Sequence, residues 1–245
     1  MKNNNRITGL FFAMLLIVTS FSSCRKEEEE APITTDDAAD VVTYAMQKSS
    51  GGYASESEEA AAYMTDADLQ TTTPTLQCGI PFDSTVTLNY STSNVTASYT
   101  LSWDLLLSCN NQNVPQSLSF NSPYSGSYSG PLMSSSNTGN LTWTVTGLGS
   151  GSSTPYSFSG TFTRNGSHTS NVRNKTTFSS DLQVTVTAVT IDKVTQHITG
   201  GTGTVSLNCQ TSTGKSYTFT GTIVFNSNGT ATLTINGTPY SINLY

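Results

Sequence analysis

Histidine and charged side chains are scarce in this chain of 245 residues. Only His168 and His197 could serve as a histidine base in catalysis. Serine is too abundant to indicate a nucleophile. No Gly-x-Ser-x-Gly motif supports one either, since Gly126-Ser127-Tyr128-Ser129-Gly130 has tyrosine at its centre. The sequence therefore gives no support to a hydrolase, and we expect the protein not to be an enzyme.

Paired acids and metal-binding motifs are also missing. From residue 78 onward the acidic residues are Asp83, Asp104, Asp181 and Asp192, scattered singly on or near separate predicted strands. We predict surface or turn positions for them rather than the paired carboxylates of a glycosidase. Because the chain has no Cys-x-x-Cys, no His-x-x-x-His and no acidic calcium loop, we expect neither a metal nor another cofactor.

Charge is unevenly distributed along the chain. Residues 25–77 hold 12 acidic and 3 basic residues, a balance of −9, whereas residues 78–245 hold 4 acidic and 5 basic residues, a balance of +1. The C-terminal part is therefore close to neutral. It also lacks a cluster of lysine and arginine, which argues against a nucleic-acid partner.

The N-terminus has three zones typical of an export signal. Lys2 and Arg6 give a positive start, residues 9–21 are mostly apolar, and Ser22-Ser23-Cys24 follows. The apolar zone is shorter than the ~20 residues of a membrane-spanning helix. The segment resembles the signal peptide of bacterial lipoproteins. This resemblance implies cleavage before Cys24 and acylation of that cysteine, so the mature protein would contact the membrane through a lipid anchor.

The residues after Cys24 bear on where the protein is displayed. Lys26-Glu27-Glu28 resembles the basic-then-acidic export tag of surface lipoproteins of Bacteroidota. The resemblance implies a protein anchored in the outer membrane and facing the cell exterior. The same run could instead be the solvated start of a linker. We therefore divide the chain into a signal peptide (1–23), an acidic tether with short helices (24–77) and a β domain (78–245).

The tether has one or two short helical segments. Thr34-Thr35-Asp36-Asp37 can cap a helix, and the spacing of Val42 and Met46 predicts one over residues 36–48. Residues 55–64 can form a second helix of one or two turns. Helices this short are marginal alone in water, so we expect them either to lie on the β domain or to be disordered. One of them could cover an opening or the apolar face of a curved sheet.

Strict alternation of apolar and hydroxyl side chains dominates from residue 78 onward, where 60 of 168 residues are serine or threonine. The clearest run spans residues 95–109 and places one face against a core and the other toward water. Asn165-Gly166, Asn228-Gly229 and Asn236-Gly237 predict hairpin turns. Without crossover helices, we expect a mainly β fold. It would be a single antiparallel meander of about eight to ten strands, curved into a sandwich or open barrel.

The remaining candidate site residues are cysteines that could form a disulfide and tyrosines that could contact a ligand. An exported protein can form disulfides, and Cys78 and Cys109 flank one predicted hairpin, so we pair them first; Cys109 with Cys209 is the alternative. Tyr124 and Tyr128 lie in polar surroundings where a ring could stack on a sugar or another flat ligand. Their spacing of four also fits ordinary strand residues on the core face.

These features favour a non-enzymatic surface module for interaction or adhesion, with a protein or glycan as its partner. The alternative is a domain whose curved apolar face binds lipid or another hydrophobic ligand under the helices. An unfilled interior would favour this second hypothesis.

Overall fold

Ten antiparallel strands make up most of the protein in the computed structural model, which describes residues 31–66, 76–148 and 154–245. The strands are β1 (Pro81–Ser91), β2 (Thr96–Cys109), β3 (Pro115–Ser129), β4 (Met133–Thr146), β5 (Tyr156–Ser170), β6 (Thr177–Ile191), β7 (Ile198–Thr211), β8 (Ser216–Phe225), β9 (Thr230–Ile235) and β10 (Thr238–Asn243). Each pairs with its neighbours in the chain, and the sheet is not closed, so β1 and β10 are its edges. The predicted antiparallel meander is confirmed.

The alternation of side chains decides which face of the sheet is buried. In β2 the inward side chains of Tyr99, Leu101 and Trp103 are at most 4% exposed, while the residues between them are exposed to solvent. The same pattern recurs in the following strands. The sheet therefore has an apolar inner face and an outer face rich in serine and threonine.

Two helices precede the sheet. They are α1 (Thr35–Met46) and α2 (Tyr53–Asp66), joined through a 3₁₀ turn at Lys48–Ser50. α1 begins and ends within two residues of the predicted range 36–48, and α2 is longer than the one or two turns expected within residues 55–64. The start of α1 is a capping box, in which the amide of Asp37 donates to Thr34 Oγ1 (3.2 Å) and the amide of Thr34 donates to Asp37 Oδ2 (2.9 Å).

The sheet curves around the beginning of α2. The ring of Tyr53 lies 5.4 Å from Trp143 on β4, 6.2 Å from Phe162 on β5 and 5.6 Å from Phe225 on β8, measured between ring centroids. Strands that are not neighbours in the sheet thus meet around one side chain. The helices fill the concave side of the sheet and complete its core.

Across the predicted boundary at residue 78, the helices and the sheet share one hydrophobic core. Residues 31–245 form one compact unit, and the buried residues of α1 and α2 belong to the same hydrophobic cluster as the sheet. The helices had been expected to lie on the β domain or to be disordered, and they lie on its apolar face. A helix too short to be stable alone gains its stability by burying one face.

Glycine at the turn between the helices allows the chain to pass close to the sheet. Gly51 has a φ of 61°, in the left-handed region, and a Cβ atom there would lie 2.3 Å from the ring of Tyr99. Any other residue would meet both the backbone strain and this clash.

Two of the three predicted hairpin turns are present. Gly229 lies between β8 and β9, and Asn236 and Gly237 join β9 to β10, all with positive φ. Asn165-Gly166, by contrast, lies inside β5, so the predicted turn there is wrong. A Cβ atom on Gly166 would lie 2.6 Å from Cβ of Asn137 on β4, so glycine serves close strand packing at this position.

A disulfide joins Cys78 to Cys109, with 5.6 Å between their Cα atoms. This is the pairing favoured from the sequence, and the alternative of Cys109 with Cys209 does not occur. Cys209 is free and buried, and burial raises the pKa of its thiol to about 12. At neutral pH this thiol is therefore protonated and unreactive.

Candidate functional site

The outer face of the sheet carries hydroxyl and amide side chains in rows that cross the strands. Strand pairing places one exposed polar residue of each strand directly beside that of the next. Neighbouring strands are about 4.8 Å apart, so each row repeats hydrogen-bonding groups at that interval. The sequence predicts such a face, whereas the rows depend on the register between strands.

Two adjacent rows run from β3 to β8. We call the first the mixed row, formed by Ser125, Thr138, Asn165, Asp181, Asn208 and Thr218. We call the second the serine row, formed by Ser127, Ser136, Ser167, Ser179, Gln210 and Ser216. All twelve residues are exposed, and Asp181 is the only one with a charge.

Two shallow grooves lie along these rows. One, of about 530 Å³, lies over β3, β4 and β5, where Ser125, Ser127, Ser136, Thr138 and Asn165 line it. The other, of about 390 Å³, lies over β6, β7 and β8. The pair of rows therefore offers a long polar track to a ligand, with a depression toward each end.

Hydrogen bonds within the mixed row fix some of its side chains. The side-chain amide of Asn165 is oriented so that both its oxygen and its nitrogen find suitable partners. In this orientation its nitrogen donates to Asp181 Oδ1 over 2.7 Å. Thr218 Oγ1 donates to Asn208 Oδ1 over 2.9 Å. Such cross-strand bonds hold donors and acceptors in place before a ligand arrives, which lowers the entropy lost on binding.

A third row lies closer to the other end of the strands. We call it the threonine row, because threonine occupies the same register position on six consecutive strands: Thr142, Thr161, Thr185, Thr204, Thr222 and Thr234. At its β1 and β2 end the same register continues through Asn121 to Asp104 and Asp83.

Asp83 and Asp104 lie directly opposite each other in the pairing of β1 with β2. The sequence indicates four isolated aspartates in the β domain. In the structure, two of them are neighbours across the β1–β2 pair. Asp104 Oδ2 accepts a hydrogen bond from the Asn121 amide (3.1 Å), and both aspartates are exposed. Asp181 is also exposed, and Asp192 caps a turn through the amides of Val194 and Thr195.

Neither histidine reaches the aspartate pair. His168 faces the interior, where its Nε2 lies 2.6 Å from Ser180 Oγ, and burial lowers its pKa to about 3. His197 lies in the turn before β7 and stacks on Tyr245 with 4.1 Å between centroids. The histidines and the aspartate pair therefore do not form an acid–base site.

Tyr124 and Tyr128 face the core, so the structure does not present them for ligand stacking. Each is at most 4% exposed. Tyr124 Oη donates to the carbonyl of Thr163 (2.7 Å), and Tyr128 stacks on Tyr44 of α1 with 4.7 Å between centroids. Of the two interpretations of their spacing, the structure supports the one that places them on the core face.

Arg164 is a buried charge that sequence reasoning missed. It is 1% exposed and donates to the carbonyls of Tyr44 (3.2 Å) and Gly51 (2.7 Å). Its guanidinium also lies 5.1 Å from the ring centroid of Tyr99. The alternation of side chains along β5 could have indicated its burial, because Arg164 lies on the same inward face as Phe158 and Phe162. Its role is to fix the chain between the two helices.

The remaining predicted sites lie outside the described residues. These are the lipidation site, Cys24, and the export tag, Lys26, Glu27 and Glu28. Within the described ranges, no three histidine, cysteine, aspartate or glutamate side chains come together as a metal site. No helix in those ranges is long and apolar enough to cross a membrane.

Comparison with known protein families, with curated proteins and with solved structures gives no match for this chain.

Proposed function

We propose that the protein is a non-enzymatic lipoprotein that binds a neutral polar partner, a glycan or a protein surface, through the outer face of its sheet. The N-terminal segment supports lipid anchoring through Cys24 and display at the outer membrane. The observation that carries the binding role is the pair of mixed and serine rows. They line two grooves with exposed, almost uncharged hydrogen-bonding groups.

Repeated groups of this kind suit an extended neutral ligand. Hydroxyl and amide side chains can both donate and accept hydrogen bonds, as sugar hydroxyls and peptide groups do. The near-neutral β domain provides no strong field for a charged partner. Each contact is weak and exchanges with water, so the affinity comes from several contacts along the track.

The alternative of a hydrophobic ligand receives less support from the fold. The apolar face that would hold acyl chains is covered by α1 and the start of α2, with Tyr53 packed between β4, β5 and β8. Met46 and Tyr44 of α1 are likewise buried in the same cluster.

The test is a screen of the purified protein against arrayed neutral glycans and envelope or host proteins, followed by two matched double variants. Ser136→Lys with Ser179→Lys places two bulky charges on the serine row, on β4 and β6. Thr142→Lys with Thr185→Lys places the same charges on the threonine row of the same strands. We expect the first pair to weaken binding at least tenfold and the second to leave it nearly unchanged.

Equal binding by the two double variants would overturn the assignment of the site. Absence of binding to every glycan and protein in the screen would overturn the proposed function. Unfolding by urea would be measured for both variants, so that a loss of fold is not mistaken for a loss of binding.

A further inference from the structure

The two edges of the sheet differ in how well they resist pairing with another strand. β10 is only six residues long and has Pro239 at its second position. β1 has eleven residues and pairs with β2 at every position without a bulge. Within the described residues, the other side of β1 has no backbone partner.

β1 also carries few of the side chains that protect edges. Its only charged residue is Asp83, it has no lysine, and its proline is the first residue of the strand. Short length, lysine, internal proline and bulges are the usual means by which proteins prevent edge pairing. β1 has none of these, so a second strand could pair along its whole length.

The inner face of β1 is incompletely covered. Phe82, Val86 and Tyr90 are only partly buried, although they pack against the core. The equivalent inward residues of the next strand, such as Trp103, are at most a few per cent exposed. Another strand beside β1 would bury these three side chains, as β1 does for those of β2.

We infer that the outer edge of β1 is the contact surface for a second copy of this chain, with the two β1 strands antiparallel about a two-fold axis at Val86. This register pairs all eleven residues, Pro81 with Ser91 and so on. It places Phe82 opposite Tyr90, and Asp83 opposite Asn89, so no like charges face each other. The result is an isologous dimer with one continuous sheet of twenty strands.

The side chains around β1 are compatible with this pairing. Tyr90 Oη lies 2.6 Å from Ser55 Oγ of α2, which fixes the ring that would face the partner's Phe82. Phe82 in turn stacks on Tyr63 of α2, with 5.9 Å between centroids. Both aromatic rings are thus held in place before the strands meet.

The register can be tested with single cysteines. Val86→Cys places two thiols opposite each other across the two-fold axis, whereas Ser84→Cys, on the same face, would lie opposite Leu88. Mild oxidation of the full chain in detergent should give a covalent dimer with Val86→Cys and little or none with Ser84→Cys or the wild type. Equal cross-linking of the two variants would overturn the register.

The dimer itself is tested by mass in solution. The wild-type full chain should sediment as a dimer, and Val86→Lys, which points a charge inward at the edge, should shift it to the monomer at the same concentration. Thr238→Lys on β10 is the control and should leave the dimer intact. The wild type and both variants keep the same N-terminal segment. Any association through that segment is therefore equal in all three and does not explain a difference between them.

A monomeric wild type over the whole accessible concentration range would overturn the inference. A dimer that persists in Val86→Lys would do the same, because the contact would then lie elsewhere. If the wild type is monomeric but binds an added strand-forming peptide at β1, the edge accepts a different partner and the second copy is wrong.

Discussion

A carboxyl group without a hydrogen-bond partner lies in the centre of the molecule. Glu56, in the first turn of α2, is 2% exposed, and neither of its side-chain oxygens finds a partner among the described residues. Burial raises its pKa well above 4.5, and the positive charge of Arg164 lowers it to a smaller extent. Burying an ionised carboxylate costs free energy, so the fold favours the protonated form.

Glu56→Gln should therefore stabilise the protein, and more so as the pH rises. The pKa of Glu56 is higher in the folded than in the unfolded chain, so its favourable contribution is present at acid pH and is lost as pH rises through the folded value. The difference in unfolding free energy should be small near pH 4. Between the two pKa values it should grow by up to about 1.4 kcal/mol per pH unit.

Urea unfolding of the wild type and Glu56→Gln at several pH values measures this difference. Ser206→Gln, an exposed substitution on β7 that removes no carboxyl group, is the control and should leave the pH dependence of the unfolding free energy unchanged. A difference for Glu56→Gln that stays constant with pH would show that the carboxyl group does not titrate as the structure indicates.

At the scale of the elements, α1 is attached to the turn between β5 and β6 by one arginine. Arg173 Nε donates to Asp37 Oδ1 (2.8 Å), and its guanidinium also pairs with Asp40, one turn further along α1. Tyr240 on β10 donates to Asp36 from another side (2.8 Å). Acids that looked like part of a solvated tether thus hold the helix on the sheet.

Arg173→Ala should loosen α1 while the sheet stays folded. Partly exposed ion pairs contribute little each, so we expect a loss of about 1 kcal/mol for the two together. Hydrogen exchange should speed up in α1 and stay unchanged in β5 to β7. Lys175→Ala is a matched control, because Lys175 lies in the same turn and has the same φ of 52° as Arg173. Equal effects of the two substitutions would refute this role of Arg173.

Much of this architecture can be predicted from local patterns. The alternation in residues 95–109 sets the inner and outer faces of β2, and the cap at Thr34 sets the start of α1. Both signals depend on neighbours in sequence and survive in the fold. The turn predicted at Asn165-Gly166 is wrong because this position packs against Asn137 of β4. A prediction from neighbouring residues in the sequence does not include that contact.

The candidate site was predictable only in part for the same reason. The hydroxyl-rich face follows from alternation, but the mixed and serine rows require the register of six strands. The burial of Glu56 was also hidden, since its neighbours Ser55, Ser57 and Glu58 are polar. A polar helix start suggests solvent, whereas here the curved sheet encloses it.

At the scale of the whole molecule, the two helices and the sheet form one compact unit with a shared core, so we expect them to fold together. The sheet alone would expose the inner faces of β4, β5 and β8, which now surround Tyr53. Full burial of one large apolar side chain contributes about 1.5–3 kcal/mol, and a domain is stable by only about 5–15 kcal/mol in total. Losing Tyr44, Met46 and Tyr53 together would therefore remove about 4.5–9 kcal/mol, a large share of that total.

A chain of residues 76–245 should consequently fail to unfold cooperatively in urea and should bind a hydrophobic dye. A chain of residues 31–245 is the control and should unfold in one transition. Adding residues 31–66 as a separate peptide should restore the transition in part, because the interior they fill is specific in shape. The peptide with Tyr53→Ala should restore less. If residues 76–245 unfolded as cooperatively as the control, the helices would be a tether after all, and the core would belong to the sheet alone.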